Sequence, residues 1–337
     1  MIRQPYFKVT YNGKNVTADI KRYLVRISVA DKVAGESDEL SIEMEDTDGL
    51  WKDAWYPSKG DKIHVEIGYP DSIYSYGTFE VDEIEHSGPP DRVAIRALAA
   101  GIKPAIRTKR STAHEGKTLK QIAQFIADEN DLSFDGGSSS ALNIAINRVT
   151  QDRETDLQFL MRIGKEYGFL FSVRDKQMVF TSIFDIEKGE SVATIDKTDL
   201  LRWSVKNTSV ETKKKAKVSY FDPDTAELNE HEVDADEDGY AADGETDGVS
   251  GDTLNIRTKA ENKQQAEAIA KAALHDANSR QVTGSISMQG NPLMMSGTNF
   301  KLIGLGRISG KFHVESAEHS IDRSGGYICN LEIKKIG

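Results

Sequence analysis

The 337-residue chain holds a single cysteine, Cys329. One thiol excludes an intramolecular disulfide and a cysteine-built zinc site. No apolar run is long enough to span a bilayer, and the N-terminus MIRQPYFKVTYNGKNV has no apolar signal core. The expectation is a protein made in a cytoplasm without a classical export signal. Positive charge is also short: 43 Lys and Arg face 54 Asp and Glu, a net of −11. That argues against a general nucleic-acid binder, which needs cations to displace counterions. Net charge speaks to solubility and partners rather than to fold.

What remains is ordinary globular material, 38% hydrophobic and 29% charged. The length fits two or three domains. Eleven Tyr and twelve Phe exceed what a disordered tail would need.

The first hundred residues read as β. YFKVTYNG is a strand that meets an Asn-Gly turn at Asn12-Gly13. ELSIEMED alternates, with Leu40, Ile42 and Met44 on one face, and stops at Asp46-Thr47-Asp48-Gly49. KIHVEIGY puts Ile63, Val65 and Ile67 one way and His64 and Glu66 the other. GTFEVDEIEH and DRVAIRALAA follow across Gly88-Pro89-Pro90. Short strands at this spacing predict a sandwich or small barrel.

Character changes near Gly101. KTLKQIAQFIADENDL predicts a helix, with Thr118 and Gln121 at capping-box spacing and a stripe of Leu119, Ile122, Ala123 and Ile126. A polar loop spans Asp135 to Asn143. Thr155 and Gln158 repeat the capping box, Asp156 suits the positive helix end, and Leu157, Leu160, Met161 and Gly164 form a face. Gly168 is a left-handed stop. FLFSV and QMVFTSI then make a hairpin around Arg174-Asp175-Lys176. Residues 101–200 therefore read as a small α/β module.

From Leu200 the pattern is β again, through KKAKVSYF and, near the end, GSISMQG, NFKLIGL, KFHVESAEHSI and YICNLEIKK. An acidic loop is expected over 232–252. A helix at about 258–277 carries Asn262 and Gln265 as caps and Ala266, Ile269, Ala270 and Ala273 as a flat face. Gly304, Gly306 and Gly310 mark turns or bulges. There is no short-period repeat, but the two β regions have the layout of structural duplicates.

No motif assigns a catalytic, cofactor or metal residue. HEGKTL at 114–119 contains Gly-Lys-Thr, but Ser111 stands where a phosphate loop needs its first glycine. A helix start is the better reading. The seven histidines are scattered and make no H-E-x-x-H; His313 and His319 lie near Glu315 and Glu318. Cys329 alternates with Tyr327, Leu331 and Ile333, as a small buried hydrophobe would. No G-x-S-x-G elbow is present. Paired carboxylates for peptidoglycan cleavage stay open as an alternative, because spacing alone selects no pair. Asp234, Asp236, Asp238, Gly239 and Glu245 fit the spacing of a calcium loop. Their flanks are strand and turn rather than helix, Ala241 takes the usual branched apolar position, and an acidic segment meets the pattern by chance.

The order of these pieces resembles the phage late control gene D family, the hub proteins of contractile-tail baseplates. Three stretches carry the resemblance: TDLQFLMRIGKEYGFLFSVRDKQMVF; KKAKVSYFDPDTAE with SGDTLNIRTKAENKQQAEAIAKAAL; and GNPLMMSGTNFKLIGLGRISGKFHVESAEHSIDRSGGYICNLEIKK. The resemblance implies a mainly β, α+β chain of two related antiparallel β-barrels flanking an α/β insert. In these terms 1–100 is one barrel, 101–200 the insert, and 201–337 the second barrel with its helix. It further implies a homotrimer forming a pseudo-sixfold ring between a hexameric tail tube and a trimeric spike, in the virion tail baseplate, with other baseplate or tape-measure proteins as neighbours. It implies no enzymatic activity, no cofactor, no specific nucleic-acid binding and no membrane insertion. An acidic lumen would keep DNA from sticking. Type VI secretion spike proteins share the hub and continue into a β-helix. Here the sequence ends at Gly337, just after the last strand, which leads us to expect the spike on a separate polypeptide and no fused lysozyme or peptidase domain.

The resemblance and a calcium-dependent β-sandwich adhesin make opposite predictions for the acidic segment. As a solvated loop, it gives no heat when calcium is titrated calorimetrically to millimolar concentration into chelator-treated protein. A saturable heat would establish a calcium site.

Overall fold

The computed structural model describes residues 4–32, 38–100, 106, 108–174, 176–208, 213–222, 226–235, 253–258, 260–324 and 326–336. Asn12 and Gly13 take φ of 46° and 83° and fold β1 (Tyr6–Tyr11) onto β2 (Lys14–Asn15), as a hairpin turn of this type requires. A short α1 (Thr17–Lys21) leads to β3 (Leu24–Lys32) and β4 (Glu39–Glu45). β5 (Lys62–Tyr69), β6 (Ser72–Ser87) and β7 (Arg92–Ala99) complete this region. The alternation holds: Leu40, Ile42, Met44, Ile63, Val65 and Ile67 are all buried.

An α/β stretch follows. It comprises β8 (Arg110–Thr118), α2 (Leu119–Glu129), β9 (Ser133–Asp135), β10 (Ala145–Glu154) and α3 (Asp156–Tyr167). It continues through β11 (Phe169–Arg174), β12 (Gln177–Ser182) and α4 (Ile183–Lys188). Both capping boxes form: Thr118 accepts from Gln121 N and Thr155 from Gln158 N, and each glutamine returns to the cap's own N–H. Asp156 does more than suit a helix end. It is buried, and Arg110 meets it at 2.7 Å while Asn130 and Gln151 donate to it at 3.2 and 2.9 Å. This ties the start of α3 to β8 and to the end of α2.

The final stretch is β13 (Ser191–Asp196), β14 (Leu200–Asn207), β15 (Lys215–Asp222), β16 (Glu227–Asp234) and β17 (Thr253–Arg257). Then come α5 (Lys263–Asn278), β18 (Val282–Gln289), β19 (Asn299–Ile303), β20 (Gly310–Asp322) and β21 (Gly326–Lys335). Asn262 caps α5 by accepting from Gln265 N.

The fold is mainly β with an α/β part, an α+β architecture. The two β regions are not separate sheets. Thirteen strands share one sheet in the order β14-β18-β21-β20-β3-β4-β7-β6-β5-β1-β2, with β19 on β20 and β13 on β19. β3 and β20 join the halves.

The halves are structural duplicates. β3-β4-β7-β6-β5 has the same neighbour order as β14-β18-β21-β20-β19. Register breaks coincide: at Leu24/Arg26 against β4 and at Leu200/Arg202 against β18; at Val81/Glu83 against β7 and at Val314/Ser316 against β21. Superposing the second pair of breaks aligns Phe79–Ser87, FEVDEIEHS, with Phe312–Ser320, FHVESAEHS.

Three apolar cores support this plan. One underlies the N-terminal strands and another β18–β21. The third gathers α2, α3, β11 and β12 together with Ala216, Val218, Val233, Ile269 and Leu274 from β15, β16 and α5.

Several expectations are corrected. The helix starts at Leu119 with Thr118 as its cap, as read, but the residues leading to it, His114–Thr118, are strand, because β10 pairs with β8 as far as Ala145 opposite Thr118. The buried face of α3 is Phe159, Leu160, Ile163, Gly164 and Tyr167, while Leu157 and Met161 are half-buried. On α5, Ala266, Ile269 and Ala270 are buried but Ala273 is half-buried; Ala272 and Leu274 are also covered, because the helix packs on β15, β16 and α3 at once. Glu232–Asp234 belong to β16, and residues 236–252 lie outside the described residues.

Gly168 ends α3 at φ 75°, ψ 37°. A Cβ there would stand 2.9 Å from Phe184 and 3.3 Å from Ala272. Left-handed backbone costs an L-residue about 1–2 kcal/mol before any clash. Gly168→Val is therefore expected to destabilise the fold by roughly 2 kcal/mol or more; an unchanged melting temperature would refute the left-handed stop.

Candidate interaction surfaces

The titratable groups first weighed for catalysis are placed by the fold in structural settings. His319 and Cys329 face each other across β20 and β21, with Sγ 3.7 Å from Nε2. Both are fully buried. Burial pushes the thiol well up and the imidazole down, opposite to a thiolate–imidazolium pair. His319 Nε2 donates to Met294 O at 2.9 Å, so Nδ1 accepts from the Tyr327 hydroxyl at 2.8 Å. His114 stacks on Phe159 inside the α/β core. His64, read as solvent-facing, is half-buried beside Ser75 and Thr78.

The carboxylates Asp61, Glu187, Asp196 and Glu267 are all shifted toward lower pKa, by Tyr11, His275 with Lys334, Thr198 and Lys271 respectively. A general acid for glycoside cleavage needs a shift the other way. No cluster of three metal-ligating side chains occurs among the described residues. Asp234 pairs with Lys215 at 3.2 Å on the surface; Asp236, Asp238 and Glu245 lie outside the described residues. No helix of the described residues is long and apolar enough to cross a membrane.

A polar seam holds the helices to the C-terminal strands. Glu187 of α4 meets His275 of α5 and Lys334 of β21, each at 2.7 Å. Lys311 Nζ donates to Glu187 O at 2.7 Å. Asn299 of β19 donates to Ile186 O and Gly189 O at 2.7 and 3.1 Å. Its Oδ1 therefore accepts from His313 Nδ1 at 2.9 Å, fixing the tautomer with Nδ1 protonated. Burial opposes ionisation of Glu187, but the His275 hydrogen bond and the Lys334 charge outweigh it and hold the carboxyl at about 2. Burial, then Lys334, lowers His313 to about 4. A cleft of about 360 Å³ opens on this seam, lined by Met161, Lys165, Phe169, Arg280, His275 and Lys334. Lys334 and the His275 ring both face Glu187 already, so the arrangement fixes the geometry of the seam.

Outside the cores, large apolar side chains collect at strand edges. Leu201 and Trp203 on β14 are 65% and 39% exposed. Phe221 and Leu228 pair across the β15–β16 hairpin at 55% and 74% exposure. Tyr56 stacks on His86 at the end of β6. Alternation alone does not reveal these, because exposure depends on which neighbour is missing.

Apolar side chains thus stand exposed at strand edges, while His114, His313 and His319 are buried in structural contacts. A family model for the phage tail baseplate hub (GPD) matches residues 68–325, and the chain belongs to that family. A protein of Escherichia phage 186 named a probable baseplate hub protein is 30% identical over 177 residues. That match covers 52% of this chain and 44% of the relative, so the chain spans under half the relative's length. The crystal structure of a 43 kDa tail protein of prophage MuSo2 from Shewanella oneidensis superposes with a TM-score of 0.69 at 15% identity, over 98% of each chain. A component of the Escherichia coli type VI secretion system superposes at 0.59 and 12% identity, over 94% of this chain and 74% of its own. These structures share the fold.

The seam makes stability pH-dependent with a defined sign. His313 stays neutral in the fold to about pH 4 but protonates near 6.5 when unfolded. The unfolded state thus binds more protons between those values, and stability falls as pH drops through that window, by roughly 3 kcal/mol. The Glu187 contribution is lost below its ordinary value of 4.5 and down to about 2. Denaturant melts from pH 7 to 4 should show the loss, and His313→Gln should flatten it. An equal slope in the variant would refute the assignment.

Proposed function

We propose that the chain is a structural baseplate hub of a contractile phage tail or phage-derived particle. In this reading it forms a homotrimer that adapts a hexameric tail tube to a trimeric spike. The observation that carries this is the duplicated β region: two equivalent units per chain, fused in one sheet. Three such chains offer six similar surfaces to a hexamer and a true threefold to a trimer. The α/β unit, drawing β15–β17 and α5 into its core, lies between the two β units in the chain and serves as a rigid outer part. Tube, spike and other baseplate or tape-measure proteins are the expected neighbours. Assembly takes place in the host cytoplasm, before the particle is complete. The chain acts by position and carries no catalytic role.

Native mass measurement of the chain co-expressed with its tube and spike proteins should give a trimeric hub in the complex. Zymography on peptidoglycan should show no clearing. A hub that joins the complex in another copy number, or clearing abolished by one carboxylate substitution, would overturn the reading.

A further inference from the structure

The junction inside the chain is a template. The second half of β20 pairs antiparallel with β3, from Ser316 opposite Lys32 to Asp322 opposite Arg26. Arg26 crosses it to Glu318 at 2.6 Å. On the inner face Ile27, Val29 and Asp31 meet Ile321, His319 and Ala317, all buried.

Each partner has a duplicate, and both duplicates are open. The coincident breaks equate β3 with β14, so that Arg26, Ile27 and Ala30 correspond to Arg202, Trp203 and Lys206. They equate β20 with β6, so that Glu318, His319 and Ser320 correspond to Glu85, His86 and Ser87. β14 ends the sheet and pairs only with β18 among the described residues. β6 pairs with β5 as far as Glu80; beyond Val81 it pairs only with β7 among the described residues. Among the described residues, one chain thus presents both halves of its own internal junction, unpaired, at separate edges.

Exposure and charge agree with this. Ile27 is fully buried, whereas its counterpart Trp203 is exposed. Arg202, Lys206 and Glu85 are exposed and have no ion-pair partner within the described residues. Carrying the internal register across sets Ser87 opposite Ser204, His86 opposite Val205 and Glu85 opposite Lys206, with Arg202 placed as Arg26 is toward Glu318. Opposite charges would meet on one face and Trp203 would approach the His86–Tyr56 stack on the other.

We infer that β14 of one chain adds to the free half of β6 of a second chain, antiparallel, in the register of β3 on β20. The contact is head-to-tail, so repetition closes a ring in which junctions within and between chains are alike. It rests on the trimeric hub reading only for the size of that ring.

Cysteines test the register. The double variant Ser87→Cys with Ser204→Cys, oxidised, is expected to cross-link between chains and close as a covalent trimer. Ser28→Cys with Ser320→Cys, the same pair inside the chain, should cross-link without change of mass. Ser87→Cys with Asn207→Cys, out of register and on opposite faces, should not cross-link. Glu85→Lys, and separately Arg202→Glu with Lys206→Glu, should each weaken association at least ~10-fold, and combining all three in one chain should restore it. An oligomer that neither cross-links at Ser87 and Ser204 nor responds to charge reversal overturns the pairing and leaves the hub reading standing. Cross-linked species that never close as a trimer keep the pairing and overturn the trimeric hub. A chain that is monomeric and uncross-linked at every concentration overturns the pairing.

Discussion

The pairing of β3 with β20 is the constraint on which the molecule depends. It brings together residues as far apart in sequence as Arg26 and Glu318, separated by 292 positions. Without it each β unit would carry one more open edge, and the two units would have no fixed orientation. With it they share one set of backbone hydrogen bonds, which are directional and do not slide where one face is buried. Asp31 strengthens the joint: it is fully buried and accepts from Ser296 N and Oγ at 2.9 and 2.6 Å. A register slip of one residue would turn Ile27 and Val29 outward and leave Asp31 without those donors.

The seam around Glu187 solves a different problem. Helices α4 and α5 must sit at one angle on β19–β21, and apolar packing alone tolerates small shifts. Charges buried together do not, because each displaced member is left desolvated and unpaired. Their desolvation makes such clusters weak contributors to stability but strict selectors of geometry.

Local features were legible in the sequence because local physics determines them. The Asn12–Gly13 turn, the two capping boxes, the Gly168 stop and the alternation in β4 and β5 all depend on residues a few positions apart. The strand nature of His114–Thr118 was hidden because its partner is β10, past a helix. The buried face of α3 was legible in part: Leu160 and Gly164 lie on it as expected, but it also takes in Asp156, polar by type and held inward by Arg110. The contact of Cys329 with His319 is a cross-strand relation that no spacing rule reports. The duplication was legible as layout only; FEVDEIEHS and FHVESAEHS stand out once the coincident breaks set the alignment. No catalytic site was read from the sequence, and the open edges could not be, since they are defined by which strand neighbours are missing among the described residues.

The duplicates also differ in a way that follows from their surroundings. The internal junction lies within one chain, and its inner face buries an acid at Asp31 and an imidazole at His319. The open junction must stay soluble until a partner arrives. There the counterpart of Asp31 is the neutral Asn207, and Ala30 is replaced by Lys206. Lysine on a free strand is a common guard against indiscriminate pairing. Lys206 and Arg202 give β14 a positive edge, so two β14 strands brought together would oppose like charges. A strand carrying Glu85 meets the opposite sign. The same side chains that keep the edge apart from its own copy thus select the edge of β6, and an isologous dimer is disfavoured relative to a head-to-tail ring.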